Sequence, residues 1–395
     1  MLKAVIFDMD GVIIDSEPLH ARAAILAMKK YNVALTEDYC YGFVGSTARH
    51  MLEVLREQYS LSASLDELME ANDRMKEALV AAEGYPAIPF VGELMAALHG
   101  AGLRLAIASS SPMEDIRETV SRLRLTDYLE CLVSGMQVKS PKPAPDIFLE
   151  AAGRLGVAPS ECLVIEDSCN GLNAARSAGM ARVAFYNPHS GKQDLSAANY
   201  VIEGFEEITP AFLNRVYCHA TGQPAEVART DRLFLRELAL SDLPALHAIL
   251  NNPEIARFSG EPVRPLDERI SLHKSYIHFA YRFRGFGLWG VFLKETGQLI
   301  GRCGLEEAEN DSGTARIEIG YLISPEFQGC GYALESVRAV LSFAFNEQKL
   351  SEIYAVTAPD NFRSNALIQK LGFRQTGTIC RNGKTCQEFV LSSPE

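Results

Sequence analysis

The sequence has no Cys-x-x-Cys pair, no long apolar run and no excess of basic residues, and each absence disfavours a class of protein. Nine cysteines without a pattern are typical of reduced thiols, so we expect a cytoplasmic protein without a disulfide framework. No run approaches the about 18 apolar residues of a membrane span, and Asp8 and Asp10 interrupt the first apolar run too early for a signal peptide. The formal net charge of −12 disfavours a nucleic-acid partner, because binding nucleic acid requires a basic face.

What is present is the composition of a globular protein. Hydrophobic residues make up 47% and charged residues 22% of the 395 residues, which predicts two or three domains. In the first half, helix-like segments alternate with short apolar runs at 4–7, 103–108, 131–133, 162–165 and 181–185. That alternation predicts parallel strands joined by crossover helices, which is an α/β domain with a Rossmann-like sheet. A helical pattern over about 16–82 predicts a cap inserted after the first strand.

The pattern changes after a short polar stretch, Thr221-Gly222-Gln223-Pro224, which is typical of a linker. We therefore predict a first domain over 1–217, a linker over 218–228 and a second domain over 229–395. In the second domain a strand and a helix precede several strands with hairpin signals, so we expect a mixed α+β fold.

Acidic, hydroxyl and lysine side chains follow the apolar runs of the first half. They are Asp8 and Asp10 after the first run, Ser109 and the amide of Ser110 after the second, Lys142 among three prolines, and Glu166-Asp167 after the fourth. These groups are expected to converge, because parallel strands present their ligands at their carboxyl ends. A carboxylate that attacks a phosphate dianion needs a metal ion, cationic clamps and a second acid. The set therefore predicts phosphoryl transfer with Mg²⁺, which prefers carboxylate and phosphate oxygens.

The motifs Asp8–Glu17, Ser109, Lys142–Asp146 and Ile165–Ser168 together resemble the haloacid dehalogenase superfamily, over about residues 1–215. The resemblance is to the branch with a helical cap, which includes sugar-phosphate phosphatases and β-phosphoglucomutase. It implies Asp8 as nucleophile, Asp10 as acid and base, and Ser109 and Lys142 as phosphate clamps. It also implies Mg²⁺ bound by Asp8, the backbone carbonyl of Asp10 and Asp167, with Glu166 near the metal. The implied substrate is a small phosphorylated metabolite.

Cap residues bear on the choice between a phosphatase and a phosphosugar mutase. His20 falls where the mutases carry a histidine close to the cap, which favours a mutase and makes His20 a candidate substrate-binding residue. Arg49, however, stands one residue late after Gly45-Ser46-Thr47, and Pro112 stands where a mutase lysine is expected. We therefore expect a phosphatase of sugar phosphates, with the mutase as the alternative.

The second half contains a glycine-rich turn, Gln328 to Ala333, between a predicted strand and a predicted helix. Exposed amides of such a turn at a helix N-terminus suit the pyrophosphate of coenzyme A. Together with Ile317–Tyr321, Asn361-x-x-Ser364 and Lys370–Phe373, this turn resembles the GNAT acetyltransferase superfamily, in the branch of ribosomal-protein N-terminal acetyltransferases. The resemblance implies acetyl-CoA, with the pyrophosphate near Gln328, Gly329, Gly331 and Ala333 and the pantetheine toward Asn361.

Acetyl transfer needs a base that takes a proton from the incoming amine, which is a small molecule or a protein N-terminus. Glu318, on the strand before the turn, is the candidate. Ile368 stands where the family often carries a tyrosine acid, so the acid is unassigned and a domain that only binds or senses acetyl-CoA is the alternative. Tyr276, Tyr281 and Trp289 are candidates for lining the acceptor site or for the core.

Overall fold

The chain divides into two compact units, Met1–Gly222 and Gln223–Glu395. A computed structural model describes residues 1–43, 48–259, 261–309, 313–381 and 383–394. The division falls inside the stretch 218–228 that was predicted as a linker. Within the described ranges, no helix is both long and apolar enough to cross a membrane.

The first unit is built on a six-stranded parallel sheet with the strand order β3-β2-β1-β4-β5-β6. Its strands are β1 Ala4–Phe7, β2 Arg104–Ser109, β3 Cys131–Ser134, β4 Cys162–Glu166, β5 Ala181–Phe185 and β6 Tyr200–Ile202. The central strands β1 and β4 are buried along their whole length, because helices cover both faces of a parallel sheet. This sheet confirms the α/β fold predicted for the first half.

Four helices follow β1 and form the cap. They are α1 Glu17–Lys29, α2 Glu37–Tyr41, α3 Ala48–Gln58 and α4 Leu65–Glu83. The cap has a core of its own, in which Met28, Leu52, Leu55 and Leu68 are buried together. Residues 44–47, which hold the Gly45-Ser46-Thr47 part of the predicted mutase motif, lie outside the described residues.

The remaining helices of the first unit connect the strands. They are α5 Val91–Gly100, α6 Met113–Arg122, α7 Asp146–Leu155, α8 Cys169–Ser177 and α9 Pro210–Thr221. Helix α9 continues through 218–221, the first residues of the predicted linker, and ends at Gly222, whose φ of +71° suits a helix C-cap. Strand β7 begins at Glu226, so the segment between these two elements is short.

The second unit is an eight-stranded sheet with the strand order β13-β14-β12-β11-β10-β9-β8-β7. Its strands are β7 Glu226–Arg229, β8 Leu233–Arg236, β9 Leu288–Leu293, β10 Leu299–Glu309, β11 Ala315–Ile323, β12 Glu352–Thr357, β13 Arg374–Arg381 and β14 Lys384–Ser392. All neighbours are antiparallel except β11 and β12, which are parallel and pair at Glu318 and Tyr354. The sheet is therefore mixed, as predicted.

Helices cover both faces of this second sheet. They are α10 Leu243–Leu250, α11 Pro253–Ser259, α12 Leu266–Tyr276, α13 Tyr332–Ser342 and α14 Phe362–Lys370. Helices α13 and α14 pack on one face, where Val337 and Ile368 join the main core. Helices α10 and α12 pack on the other face through a separate apolar cluster that includes Leu246 and Phe292.

Candidate active sites

The predicted groups of the first unit lie at one edge of its sheet. Asp8 directly follows β1, Ser109 is the last residue of β2, and Glu166 is the last residue of β4. Since Phe7 is in register with both Ile107 and Ile165, these three strand ends are level with one another. The parallel register therefore brings the side chains together as expected.

Lys142 contacts all three of these strand ends. Its Nζ donates to Asp8 Oδ1 at 2.5 Å, to Glu166 Oε1 at 2.8 Å and to the Ala108 carbonyl at 3.2 Å. Burial alone would lower the pKa of this lysine, yet the carboxylates of Asp8 and Glu166 raise it above the ordinary value. Lys142 is therefore a fixed cation beside Asp8.

The site has more negative than positive charge. Burial raises the pKa of Asp8 well above its usual range; Lys142 opposes this shift, and the neighbouring carboxylates of Glu166, Asp167 and Asp10 add to it. Burial and the Glu166 carboxylate also raise the pKa of Asp167 to about 7. Four carboxyl groups with one lysine form a site that a bound cation would stabilise.

Glu166 differs from the other carboxylates because both of its oxygens have protein partners. Oε1 accepts from Lys142, while Oε2 accepts from the backbone N–H and the hydroxyl of Ser168, both at 2.8 Å. A Cβ at Gly171 would lie 1.6 Å from Oε1, so only glycine at this position of α8 lets the carboxylate sit there. Glu166 therefore positions Lys142 and the start of α8.

The remaining oxygen donors fit a hard divalent cation. Asp8 contacts Lys142 through Oδ1, and Asp167 contacts the Ser190 hydroxyl through Oδ2. The other oxygen of each carboxylate is left to bind a metal ion. Mg²⁺ prefers such carboxylate oxygens together with carbonyls, waters and phosphate. No three His, Cys, Asp or Glu side chains among the described residues already converge as a metal site. The set Asp8, Asp10, Glu166 and Asp167 thus stays a prediction.

Asp10 is held by two hydroxyl groups of the turn after β2. Its Oδ2 accepts from Ser109 Oγ at 3.2 Å and from Ser111 Oγ at 2.6 Å. The backbone N–H of Ser111 also donates to Ser109 Oγ at 3.0 Å, which fixes the turn, whereas Ser110 is exposed on it. Ser111 was missed by sequence reasoning, although three consecutive serines at a strand end were a signal for it.

His20 lies on cap helix α1, with its ring centroid 6.4 Å from that of Tyr85 in an edge-to-face arrangement. Burial and the Lys76 cation lower the pKa of His20 to about 4 against the opposing effect of Asp10, so the ring is neutral at neutral pH. Its Nε2 is buried and has no hydrogen-bond partner in the described part of the chain. This nitrogen is suited to a substrate hydrogen bond. Arg49, by contrast, pairs with Asp66 on the surface.

The glycine-rich turn of the second unit precedes α13. Gly329 and Gly331 have φ angles of +77° and +82°, which favour glycine, and Gly331 is the N-cap of α13. A Cβ at Gly329 would meet no described atom within 4 Å, so the turn is open. Ala333 lies in the first turn of α13, where backbone N–H groups lack partners within the helix. These features suit an anionic ligand.

Gln328 and Asn361 have structural contacts. Gln328 Nε2 donates to the Ile323 carbonyl at 2.9 Å, and its Oε1 accepts from Arg363 Nη1 at 2.5 Å. Asn361 caps α14 by accepting from the Ser364 N–H at 3.2 Å. Both side chains therefore order the turns that follow β11 and β12.

Glu318 is buried and clamped by two arginines. Arg381 donates to both of its carboxylate oxygens, at 2.5 and 2.8 Å, and Arg316 donates to Oε1 at 2.7 Å. A proton taken up at Glu318 would replace a charge-assisted hydrogen bond. Tyr281 and Trp289 are both 1% exposed in the core, and Ile368 is fully buried there, so the position of the family's tyrosine acid is apolar.

Comparison with known proteins assigns both units. The family model of haloacid dehalogenase-like hydrolases matches residues 5–185, and the acetyltransferase (GNAT) domain model matches residues 232–374. A phosphorylated carbohydrates phosphatase from Thermotoga maritima is 35% identical, over 52% of this chain and 96% of that protein. Hexitol phosphatase B from Escherichia coli is 31% identical, over 48% of this chain and 86% of that protein. An uncharacterized N-acetyltransferase, YoaA from Bacillus subtilis, is 34% identical, over 39% of this chain and 85% of that protein.

The chain therefore belongs to the haloacid dehalogenase-like hydrolases in its first unit and to the GNAT acetyltransferases in its second. It is an enzyme in which a phosphatase is fused to an N-acetyltransferase, which confirms the family assignment predicted from the motifs.

Proposed function

We propose that the first unit hydrolyses small phosphate monoesters, sugar phosphates in particular, through Asp8 and with Mg²⁺. The observation that carries the proposal is the contact of Lys142 with Asp8 and Glu166 at the strand ends, beside Asp10. The names of the relatives, a phosphorylated carbohydrates phosphatase and a hexitol phosphatase, support this substrate class.

Each residue has a role in this reaction. Asp8 attacks phosphorus, so that a bond from its carboxylate to phosphorus forms as the ester P–O bond breaks. Asp10, held by Ser109 and Ser111, gives its proton to the leaving oxygen and later takes one from the water that hydrolyses the aspartyl phosphate. Lys142 reduces the repulsion between the attacking carboxylate and the phosphate. Bound Mg²⁺, held by Asp8, Asp167 and the Asp10 carbonyl, would supply further positive charge.

The test is release of inorganic phosphate from a panel of hexose 6-phosphates, hexose 1-phosphates, hexitol phosphates and p-nitrophenyl phosphate. We expect release that requires Mg²⁺ and is lost in Asp8→Asn. Asp127→Asn is the matched control, because Asp127 is exposed and precedes the amino end of β3, whereas the site lies at the carboxyl ends of the strands. Interconversion of hexose phosphates without release would establish the mutase instead. Absence of both activities would refute phosphoryl transfer at Asp8.

For the second unit we propose N-acetylation of an amine with acetyl-CoA. The carrying observation is that β11 and β12 are parallel neighbours that pair at Glu318 and Tyr354, and that an open glycine turn follows β11 at the start of α13. Strands that diverge beyond one pairing point leave room for an extended ligand between them.

Calorimetric titration with acetyl-CoA tests binding, and thiol release in the presence of amines tests transfer. Gly329→Ala should weaken binding, while Gly297→Ala, at an equally open positive-φ position in a hairpin, should not. Binding without transfer to any amine would favour the alternative of an acetyl-CoA sensor, and absence of binding would refute both functions.

A further inference from the structure

A band of charged side chains crosses one face of the second sheet. Strand register places Glu306 of β10 directly opposite Glu318 of β11, with Gly304 opposite Gly320 and Arg302 opposite Leu322. Alternate residues of a strand share a face, so both glutamates lie on the face that α10 and α12 cover near Leu322. The candidate base and a second glutamate are therefore neighbours.

The two glutamates have different partners. Glu318 is clamped by Arg316 and Arg381 and is 7% exposed. Arg302 pairs with Glu261 instead. Glu306 makes no ion pair within the described part of the chain, and the residue is exposed to solvent. Glu306 can therefore receive a cation from outside without the loss of an internal ion pair.

Tyr276 orients the Glu306 carboxylate. The Tyr276 hydroxyl accepts from the Leu288 N–H at 2.7 Å, so its own hydrogen is free to point toward Glu306, whose charged form it favours. A Cβ at Gly287 would lie 2.9 Å from the Tyr276 oxygen, so glycine at this position lets the tyrosine approach. The Leu288 side chain lies over Gly320, the next residue after Glu318 on the same face of β11.

The surroundings make Glu306 a better proton acceptor than an ordinary glutamate. Although the Glu306 residue is exposed, packing around its carboxyl group desolvates that group and raises the pKa of Glu306, and the carboxylates of Glu261 and Glu318 raise it further. Arg302 and the Tyr276 hydroxyl oppose the shift. A general base works best when its pKa approaches the working pH.

We propose that Glu306, and not Glu318, receives the ammonium group of the acceptor and takes its proton. The inference rests on the acetyltransferase function proposed above. One N–H proton passes to the Glu306 carboxylate; the nitrogen then forms the C–N bond with the acetyl carbon as the C–S bond breaks. The departing thiolate takes the second proton. The acceptor class is a primary amine that is protonated at neutral pH, whose positive charge complements the Glu306 carboxylate.

The test compares Glu306→Gln with Glu318→Gln. The probes are spermidine, an alanyl tripeptide and hydroxylamine, which is largely unprotonated at neutral pH. Acetyl-CoA binding and acetyl transfer are measured first with the wild type. Failure of either would refute the proposed acetyltransferase function and, with it, the role of Glu306. Glu307→Gln is the control, because Glu307 is the next residue on β10 and pairs with Arg284.

We expect Glu306→Gln to lower kcat/KM for the protonated amines by about 100-fold or more, the usual range for loss of a general base. Acetyl-CoA affinity and the rate with hydroxylamine should stay within about threefold, and formate should partly rescue Glu306→Ala. Glu318→Gln should lose less activity and unfold at a lower temperature, because it weakens the arginine clamp. The assignment would be overturned if Glu306→Gln slowed transfer to hydroxylamine as much as transfer to the protonated amines. It would also be overturned if Glu318→Gln alone abolished transfer.

Discussion

Replacement of Lys142 by methionine tests the charge balance on which the phosphatase site depends. The lysine Nζ lies 2.5 Å from Asp8 and 2.8 Å from Glu166, and its side chain is 8% exposed. Methionine has a similar length and no charge, so the substitution preserves most of the packing and removes the cation. The carboxylates of Asp8, Glu166 and Asp167 would then remain buried with no lysine among them.

The size of the effect follows from this geometry. Removing one partner of a buried ion pair costs about 3–5 kcal/mol, because the other charge stays buried without compensation. At about 2–4 °C per kcal/mol for a unit of this size, the unfolding temperature of the first unit should fall by about 6–20 °C at neutral pH. The loss should be smaller at acidic pH, because carboxyl groups with a raised pKa take up protons instead. Mg²⁺ should restore part of it by binding the folded state.

Scanning calorimetry of the wild type, Lys142→Met and Lys139→Met, each with and without EDTA, measures these shifts. Lys139 is an exposed lysine of the same loop, so its loss controls for the change in net charge. The transition of the second unit is an internal reference that should not move. A shift below about 2 °C in Lys142→Met, or one that grows at acidic pH, would refute the electrostatic reasoning.

Three further predictions concern the same unit. Burial raises the pKa of Asp167 from 3.8 to about 7, so in calorimetry of the metal-free protein its protonation should stabilise the fold below about pH 4, a gain lost as the pH rises through 7. Gly11→Ala should abolish phosphate release and Gly102→Ala should not; both have a positive φ, but only at Gly11 would the Cβ meet Asp167, 1.9 Å from Oδ2. Ser111→Ala should slow phosphate release about tenfold, because Asp10 loses one of the two hydroxyl hydrogen bonds that hold it.

Each of these predictions has a contradicting outcome. Stability of the metal-free protein that rises between pH 4 and 7 would mean that the Asp167 carboxyl group is not destabilised by burial. Equal loss of activity in the two glycine variants would assign the effect to backbone strain alone. An unchanged rate of phosphate release in Ser111→Ala would mean that catalysis does not depend on holding Asp10 through this hydroxyl.

The fold of the first unit follows closely from its sequence because parallel strands have a simple geometry. Apolar runs buried on both faces identify β1 and β4, and the residue after each run must lie at the same edge of the sheet. Asp8 and Glu166 were therefore placed together without knowledge of any contact. Sequence could not assign the partners of Glu166, because its contact with Ser168 depends on the turn into α8.

The residue at which the linker begins could not be predicted from the sequence, and the reason is local. Residues 218–221 precede a glycine and a proline, which are typical of a linker, yet they form the last turn of α9. The end of a helix at a glycine C-cap and the start of a loop have the same composition. Only the backbone hydrogen bonds distinguish the two.

The catalytic base of the second unit could not be chosen from the sequence alone. Sequence nominated Glu318 because it precedes the glycine turn, and proximity along the chain carries no information on ion pairing. In the structure Arg381 of β13 pairs with Glu318, whereas Glu306, opposite Glu318 in the β10–β11 register, makes no ion pair within the described residues. Glu318 is thus clamped by arginine, whereas Glu306 is open to an incoming amine. Of the two, only Glu306 can exchange a proton with that amine without breaking an existing ion pair. Sheet register therefore decides which glutamate is suited to act as the base.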